Sequence, residues 1–158
     1  MTAAKIAQGT RTQLSGAAAA LNSLAGSTAT YVVLGTITHN SGGKVPLDCL
    51  VELAITPGTV GGNKQAILFA QVSLDGTNFS SGPTSGTTAT DEPNLVLIGT
   101  LPLATNATLQ RKTFSLAAAM PGWVLPYATK LIVKNDSGAA FASSGNDVYT
   151  LDDSGDLT

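Results

Sequence analysis

Residues 46–56 read PLDCLVELAIT, and Leu47, Cys49, Val51, Leu53 and Ile55 occupy every second position, with Asp48 and Glu52 between them. A period of two is that of a β-strand, whose successive side chains point to opposite faces of a sheet. The stretch reads as a half-buried strand with one face on a core. Working outward, TPGTVGGNK (56–64) gathers Pro-Gly and Gly-Gly-Asn, which reverse the chain. The next stretch, QAILFAQVSL (65–74), sets Ala66, Leu68, Ala70, Val72 and Leu74 on one face, while Ile67 and Phe69 make its first half apolar on the other as well. A strand of that kind is covered on both sides where it begins.

The same grammar extends in both directions. YVVLGTITH (31–39) is rich in β-branched residues, and NLVLIGTLPL (94–103), ATLQRKTFSL (107–116), WVLPYATKLIVKN (123–135) and DVYTLD (147–152) are short apolar runs separated by Gly, Pro, Asn or Ser. Seven or so short strands with turn signals between them predict an all-β fold, an antiparallel β-sandwich or jelly roll. Pro126 has no N–H for a central ladder, so its run is expected to be bulged or partly at an edge. AAAMP (117–121) predicts a helical turn.

Two segments stand apart. In residues 1–30, Leu14, Ala17 or Ala18, Leu21 and Leu24 recur at helical spacing, and Thr12 or Ser15 could cap the turn. This predicts a short N-terminal helix or extended arm over 1–30, ahead of a sandwich domain over 31–158. Its apolar stripe is too narrow to stand alone in water, so it must dock on its own domain or on a neighbour. The second is SLDGTNFSSGPTSGTTATDEPN (73–94), which ends a strand, turns at Asp75-Gly76, returns Phe79 to the sandwich edge and then offers almost nothing to bury. Ordering such a loop costs roughly 1 to 2 kcal/mol of backbone entropy per residue unless contacts compensate. It is therefore expected to be mobile in the free subunit, and to meet a partner or point outward.

Composition narrows the function. The chain has 158 residues, 43 % of them hydrophobic and only 11 % charged, against about 25 % charged in an ordinary soluble domain. Thr, Ser, Ala, Gly and Asn must cover the surface instead, and small neutral side chains are cheap to desolvate in subunit contacts. A formal net charge of −2 with scattered basic residues argues against nucleic acid as a partner, which needs clustered Lys and Arg. No stretch approaches the roughly 20 apolar residues that cross a bilayer, and the Ala-rich N-terminus, broken by Gly16 and Asn22, does not read as a secretion signal.

Chemistry-bearing residues are few. Cys49 is the single cysteine and His39 the single histidine, so no intrachain disulfide forms and any Ser-His-Asp or Cys-His arrangement must use His39. Cys49, inside an apolar alternation, reads as a buried thiol. Ser41 and Lys44 spell S-x-x-K, but Gly42-Gly43 oppose the helix that motif needs. One Cys and one His do not make a typical structural zinc site. The tail carries Asp147, Asp152, Asp153 and Asp156, oxygen donors of the kind calcium takes, yet without EF-hand spacing or a closing Glu, and it reads as solvated. Neither a catalytic constellation nor a cofactor is expected.

ILFAQVSLDGTNFSSG (67–82), with VELAITPGTVGGNKQ (51–65) before it and WVLPYATKLIVKNDSG (123–138) after it, resembles small structural proteins of tailed bacteriophages, most of all capsid decoration (cement) proteins. The resemblance implies a sandwich subunit, a homo-oligomer and by preference a trimer, bound to the major capsid protein or other virion proteins on the capsid surface. Tail components and carbohydrate-binding adhesin modules are the alternatives. On this reading Leu14, Leu21 and Leu24 of the arm, Phe79 of the loop and Trp123 are the candidate partner-binding residues.

Overall fold

The structure, a computed structural model, describes residues 4–39 and 45–157. Ten strands and two short helices follow one another as β1 (Ala4–Gln8), β2 (Thr12–Gln13), α1 (Ala17–Leu21), β3 (Thr30–Thr38), β4 (Val45–Ile55), β5 (Gln65–Ser73), β6 (Ser85–Gly86), β7 (Val96–Pro102), β8 (Gln110–Ser115), α2 (Leu116–Ala119), β9 (Ala128–Asp136) and β10 (Asp147–Leu157). They form two sheets whose neighbours are all antiparallel. One runs β1-β10-β4-β8, with β2 also on β10; the other runs β6-β3-β9-β5-β7. The fold is an all-β sandwich.

The alternation in residues 46–56 builds its centre. Cys49, Val51, Leu53 and Ile55 are fully buried and meet Ala66, Leu68 and Ala70 of β5 and Leu131 and Val133 of β9 in one core. Leu47 departs from the expected pattern. The ladder between β4 and β10 pairs Asp48 with Asp153 and then Pro46 with Ser154, so Leu47 is the extra residue of a bulge. A bulge breaks the alternation locally, and Leu47 is 42 % exposed. Leu74, expected on the buried face of β5, lies one residue past the strand and is 86 % exposed.

Residue 30 is not a structural boundary. β1 and β2 pair with β10, and α1 closes the core with Ala17 and Leu21, both fully buried. The helix has five residues and begins at Gly16 in the left-handed region with no side-chain cap; Thr12 belongs to β2. Of the two docking partners expected for this segment, its own domain or a neighbour, the structure shows the first, from residue 4 onward. Pro126 also corrects its expectation: β9 starts two residues later and is central, paired with both β3 and β5. The helical turn expected at 117–121 is α2, capped by the Ser115 side chain, which accepts from the Ala118 N–H at 3.0 Å.

The long loop is a cover. From β5 the chain crosses the outer face of its sheet, adds β6 to the free edge of β3, and returns through a 3₁₀ turn at Glu92–Asn94 to β7 on the opposite edge. Beneath it Tyr31, Phe69, Leu95 and Ile132 form a second apolar cluster, with Val33 and Ile67 packed against it. The double-sided apolar start of β5 is explained by this cluster. Gly82 makes the seating possible, because at φ 153° any Cβ there would lie 2.4 Å from Leu95 Cδ2. Polar ties hold the rest: Gln71 Nε2 donates to Gly82 O, Asn94 Nδ2 to Ser81 Oγ, and the Lys134 ammonium and the Tyr31 hydroxyl both donate to Glu92. The ends of the loop are held on the sheet in this way, and residues 84–91 between them are exposed.

Candidate functional site

One end of the sandwich gathers most of what could act on another molecule. It is the end where β3, β5 and β10 finish and β4 and β9 begin. There the register places Cys49 of β4 directly opposite Asp152 of β10, and cross-strand partners share a face. His39, just beyond β3 in the other sheet, leans over the same point. A ring nitrogen of His39, the Cys49 sulfur and a carboxylate oxygen of Asp152 lie within 4.8 Å of one another. Two further contacts hold the histidine: its backbone N–H donates to Tyr127 O at 3.0 Å, and its Nε2 lies 2.9 Å from Thr129 Oγ1.

A small cavity of about 90 Å³ opens beside this trio, lined by Thr38, His39, Pro46, Asp48, Asp152, Asp153 and Ser154. Asp48 is built into the frame: its Oδ1 accepts from the N–H groups of Cys49 at 2.7 Å and Ala117 at 2.9 Å, tying the start of α2 to β4. Asp153 Oδ1 is buried and has no hydrogen-bond partner among the described residues. Among the described residues no lysine or arginine lines the cavity.

The residue types Cys, His and Asp invite a nucleophile reading, and the local electrostatics oppose it. Burial, reinforced by the facing Asp152, pushes the Cys49 thiol far above its usual range, while burial lowers His39 below its ordinary value despite Asp152 and Asp48. A nucleophilic cysteine needs the reverse, a stabilised thiolate in an accessible electropositive site. Cys49 is a neutral, fully buried thiol, as its place in the alternation suggested.

Around the cavity the rim is apolar. Ile6 and Val45 are both register partners of Gly155, so they share one face across three strands, and the Leu47 side chain lies 3.7 Å from where a Gly155 Cβ would be. All three are exposed. On the other sheet, Leu74 and Tyr127 flank the last pair of the β5–β9 ladder, Ser73 with Ala128, and Gly76 accommodates the Tyr127 ring. Trp123 and Val124, in the segment between α2 and β9, are 75 % and 70 % exposed. Trp123 adopts φ 59°, a left-handed conformation uncommon for a large side chain.

The residues singled out from sequence are scattered by the fold. Leu21 is inside the core and Leu14 and Leu24 pack against it, which corrects their assignment to a partner surface. Phe79 is half-buried, bridged to Ser73 and capped by Lys130, whose ammonium sits 4.1 Å from the ring centroid. Trp123 alone of the five stands out in solvent, at the apolar end. Ser41 and Lys44 of the S-x-x-K pattern lie outside the described residues. The gathering of His39, Cys49 and Asp152 escaped sequence reasoning, because ten and 103 positions separate them from one to the next and only the strand register closes those gaps.

No family model matches the chain, and no curated protein does. Among solved structures it overlaps the dimeric latent PorU of Porphyromonas gingivalis at TM-score 0.37 and 12 % identity, covering 98 % of this chain and 13 % of that one. It overlaps the VP2 protein of infectious bursal disease virus at TM-score 0.20 and 15 % identity, covering 96 % of this chain and 39 % of that one. Overlaps this weak leave the fold assignment to the strand register itself.

Proposed function

We propose that this protein is a structural subunit of a virion, a decoration protein that binds the outer capsid surface and braces the shell through contacts with its own copies and with the major capsid protein. The observation that carries the reading is the concentration of exposed Ile6, Val45, Leu47, Leu74, Trp123, Val124 and Tyr127 at one end of a sandwich with little surface charge. Apolar side chains of this size, grouped rather than scattered, are what an interface core is made of. The protein on this reading acts by contact and not by transforming a molecule, and the docking element is the apolar end rather than the N-terminal segment.

The test is to measure the mass of the purified chain in solution and then mix it with tailed-phage shells stripped of their decoration protein. Oligomers and saturable shell binding are expected, both weakened in Trp123→Ala with the fold intact by circular dichroism. A monomer that ignores the shells would refute the reading. Carbohydrate binding is the second reading, favoured by the exposure of Trp123 and Tyr127 as an aromatic platform. Glycan-array binding that disappears in the same variant would select it.

A further inference from the structure

We propose that the cleft between β3, β4 and β10 is a binding site for a divalent transition-metal ion, zinc by preference, with His39, Cys49 and Asp152 as ligands and a fourth position open to solvent. The three donors converge because of backbone register. Cys49 and Asp152 are cross-strand partners on one face, and His39 is fixed from the opposite sheet by Tyr127 and Thr129. With Nε2 occupied by Thr129, Nδ1 is the nitrogen left to coordinate. A second hydrogen-bonded group that orients the ring is a regular feature of histidine ligands.

The separations suit a small ion. Zinc bonds of about 2.0 Å to nitrogen and oxygen and 2.3 Å to sulfur place tetrahedral ligand atoms roughly 3.5 Å apart. The present spread reaches 4.8 Å, so the cage must close by about 1 Å. Asp152, the exposed member, can make that adjustment. The adjoining cavity of about 90 Å³, lined by His39 and Asp152 with Cys49 buried behind them, has room at the open position for a bound water, which occupies about 30 Å³ in the liquid.

An independent observation points the same way. Asp48, Asp152 and Asp153 line this one cavity with no cationic side chain among the described residues of its walls, in a chain with ten acidic residues in all. Asp48 and Asp153 are direct cross-strand partners, a like-charge pairing that is unfavourable by itself, and the buried Asp153 Oδ1 lacks a partner among the described residues. A bound cation close by would ease this crowding of like charges. The donor types choose among cations: calcium and magnesium take oxygen shells, whereas imidazole with thiolate suits zinc. On binding, the sulfur–zinc bond replaces the S–H bond and the proton leaves to solvent. The ion would then clamp the two sheets together beneath the apolar rim.

The test uses the full chain, stripped with chelator and dialysed, and titrated with Co²⁺ by absorption spectroscopy and with Zn²⁺ by calorimetry. One equivalent of each is expected to bind, Co²⁺ with a thiolate-to-cobalt charge-transfer band, and Zn²⁺ is expected to raise the melting temperature. Cys49→Ser should abolish the band. Asp152→Asn, at an exposed position where the fold will tolerate it, should weaken both metals by about tenfold or more, whereas Asp147→Asn on the same strand should leave binding unchanged. Absence of the band on the folded chain overturns the proposal, as does equal affinity in the wild type and Asp152→Asn. If Cys49→Ser fails to fold, the Asp152→Asn comparison decides.

Discussion

The two outer faces of the sandwich solve one problem in opposite ways. The face carrying β3, β9 and β5 is apolar where Tyr31, Ile132 and Phe69 emerge, and it is covered by the chain itself through the 74–95 crossing. The face carrying β10, β4 and β8 carries instead one ion cluster among half-buried side chains: Glu52 receives Arg11 at 2.8 Å and Arg111 at 2.7 Å, and the Arg11 guanidinium stacks 3.3 Å from the Tyr149 ring centroid. A polar-looking loop can thus serve as wall for a second core, since a single apolar anchor, Leu95, joins the cluster and the sheet supplies the rest. Sheet faces, more than loops, announce where cover is needed.

That contrast can be tested by its unequal energetics. Ile132→Ala, beneath the cover, should cost about 2–5 kcal/mol in chemical denaturation, while Leu151→Ala on the ion-cluster face should cost well under half as much. Equal losses would dissolve the distinction between the faces. Tyr31→Phe removes the hydroxyl that donates to Glu92 and leaves Lys134 in place at 2.7 Å. A loss of about 1.5–3 kcal/mol, typical of hydrogen bonds to charged groups, is expected, together with faster amide exchange in residues 80–94; unchanged exchange would mean the loop is held by its apolar anchors alone.

On the ion-cluster face Glu52→Gln should cost at most about 1 kcal/mol, and the difference from wild type should shrink as salt is added. The hydrogen bond from Arg11, helped by Arg111, holds the Glu52 carboxyl below the usual range. The smallest effect concerns the turn that launches the cover. Asp75 accepts from the N–H groups of Asn78 and Thr77 and from the Asn78 and Ser73 side chains, which together hold its carboxyl well below the ordinary value of 3.8. The native state therefore binds that proton less readily than the unfolded chain does, so the contribution of Asp75 is complete above about pH 4 and is lost as the pH falls further. An Asp75 titration, followed by NMR, that lay at the ordinary carboxylate value would contradict this.

Much of the sandwich was legible in the sequence because alternation is a local signal: Cys49, Val51, Leu53 and Ile55 declare one face of β4 without help from any other strand. The bulge at Leu47 was not legible, since it exists only relative to Asp153 and Ser154, about a hundred residues away. The doubly apolar start of β5 did announce a covered outer face, but not that the following loop was the cover; Leu95, its main anchor, was read as part of the next strand. The helical spacing of Leu14, Leu21 and Leu24 marked a buried stripe correctly and left its partner open, and the core of the same chain took it. At the candidate site, His39, Cys49 and Asp152 were each visible, and counting them as isolated donors hid what antiparallel pairing brings together.

The bulge at Leu47 has a consequence for how the strand tolerates change. The pairings of Val45 and Pro46 on one side, and of Asp48 onward on the other, do not depend on Leu47, because that residue is the one the ladder skips. Excising it would close the strand without shifting the phase of either half, subtracting one greasy side chain from the rim while the donors below keep their stations. The position is a natural seam, where chain length can vary by one and both the interior and its neighbouring surface retain their addresses.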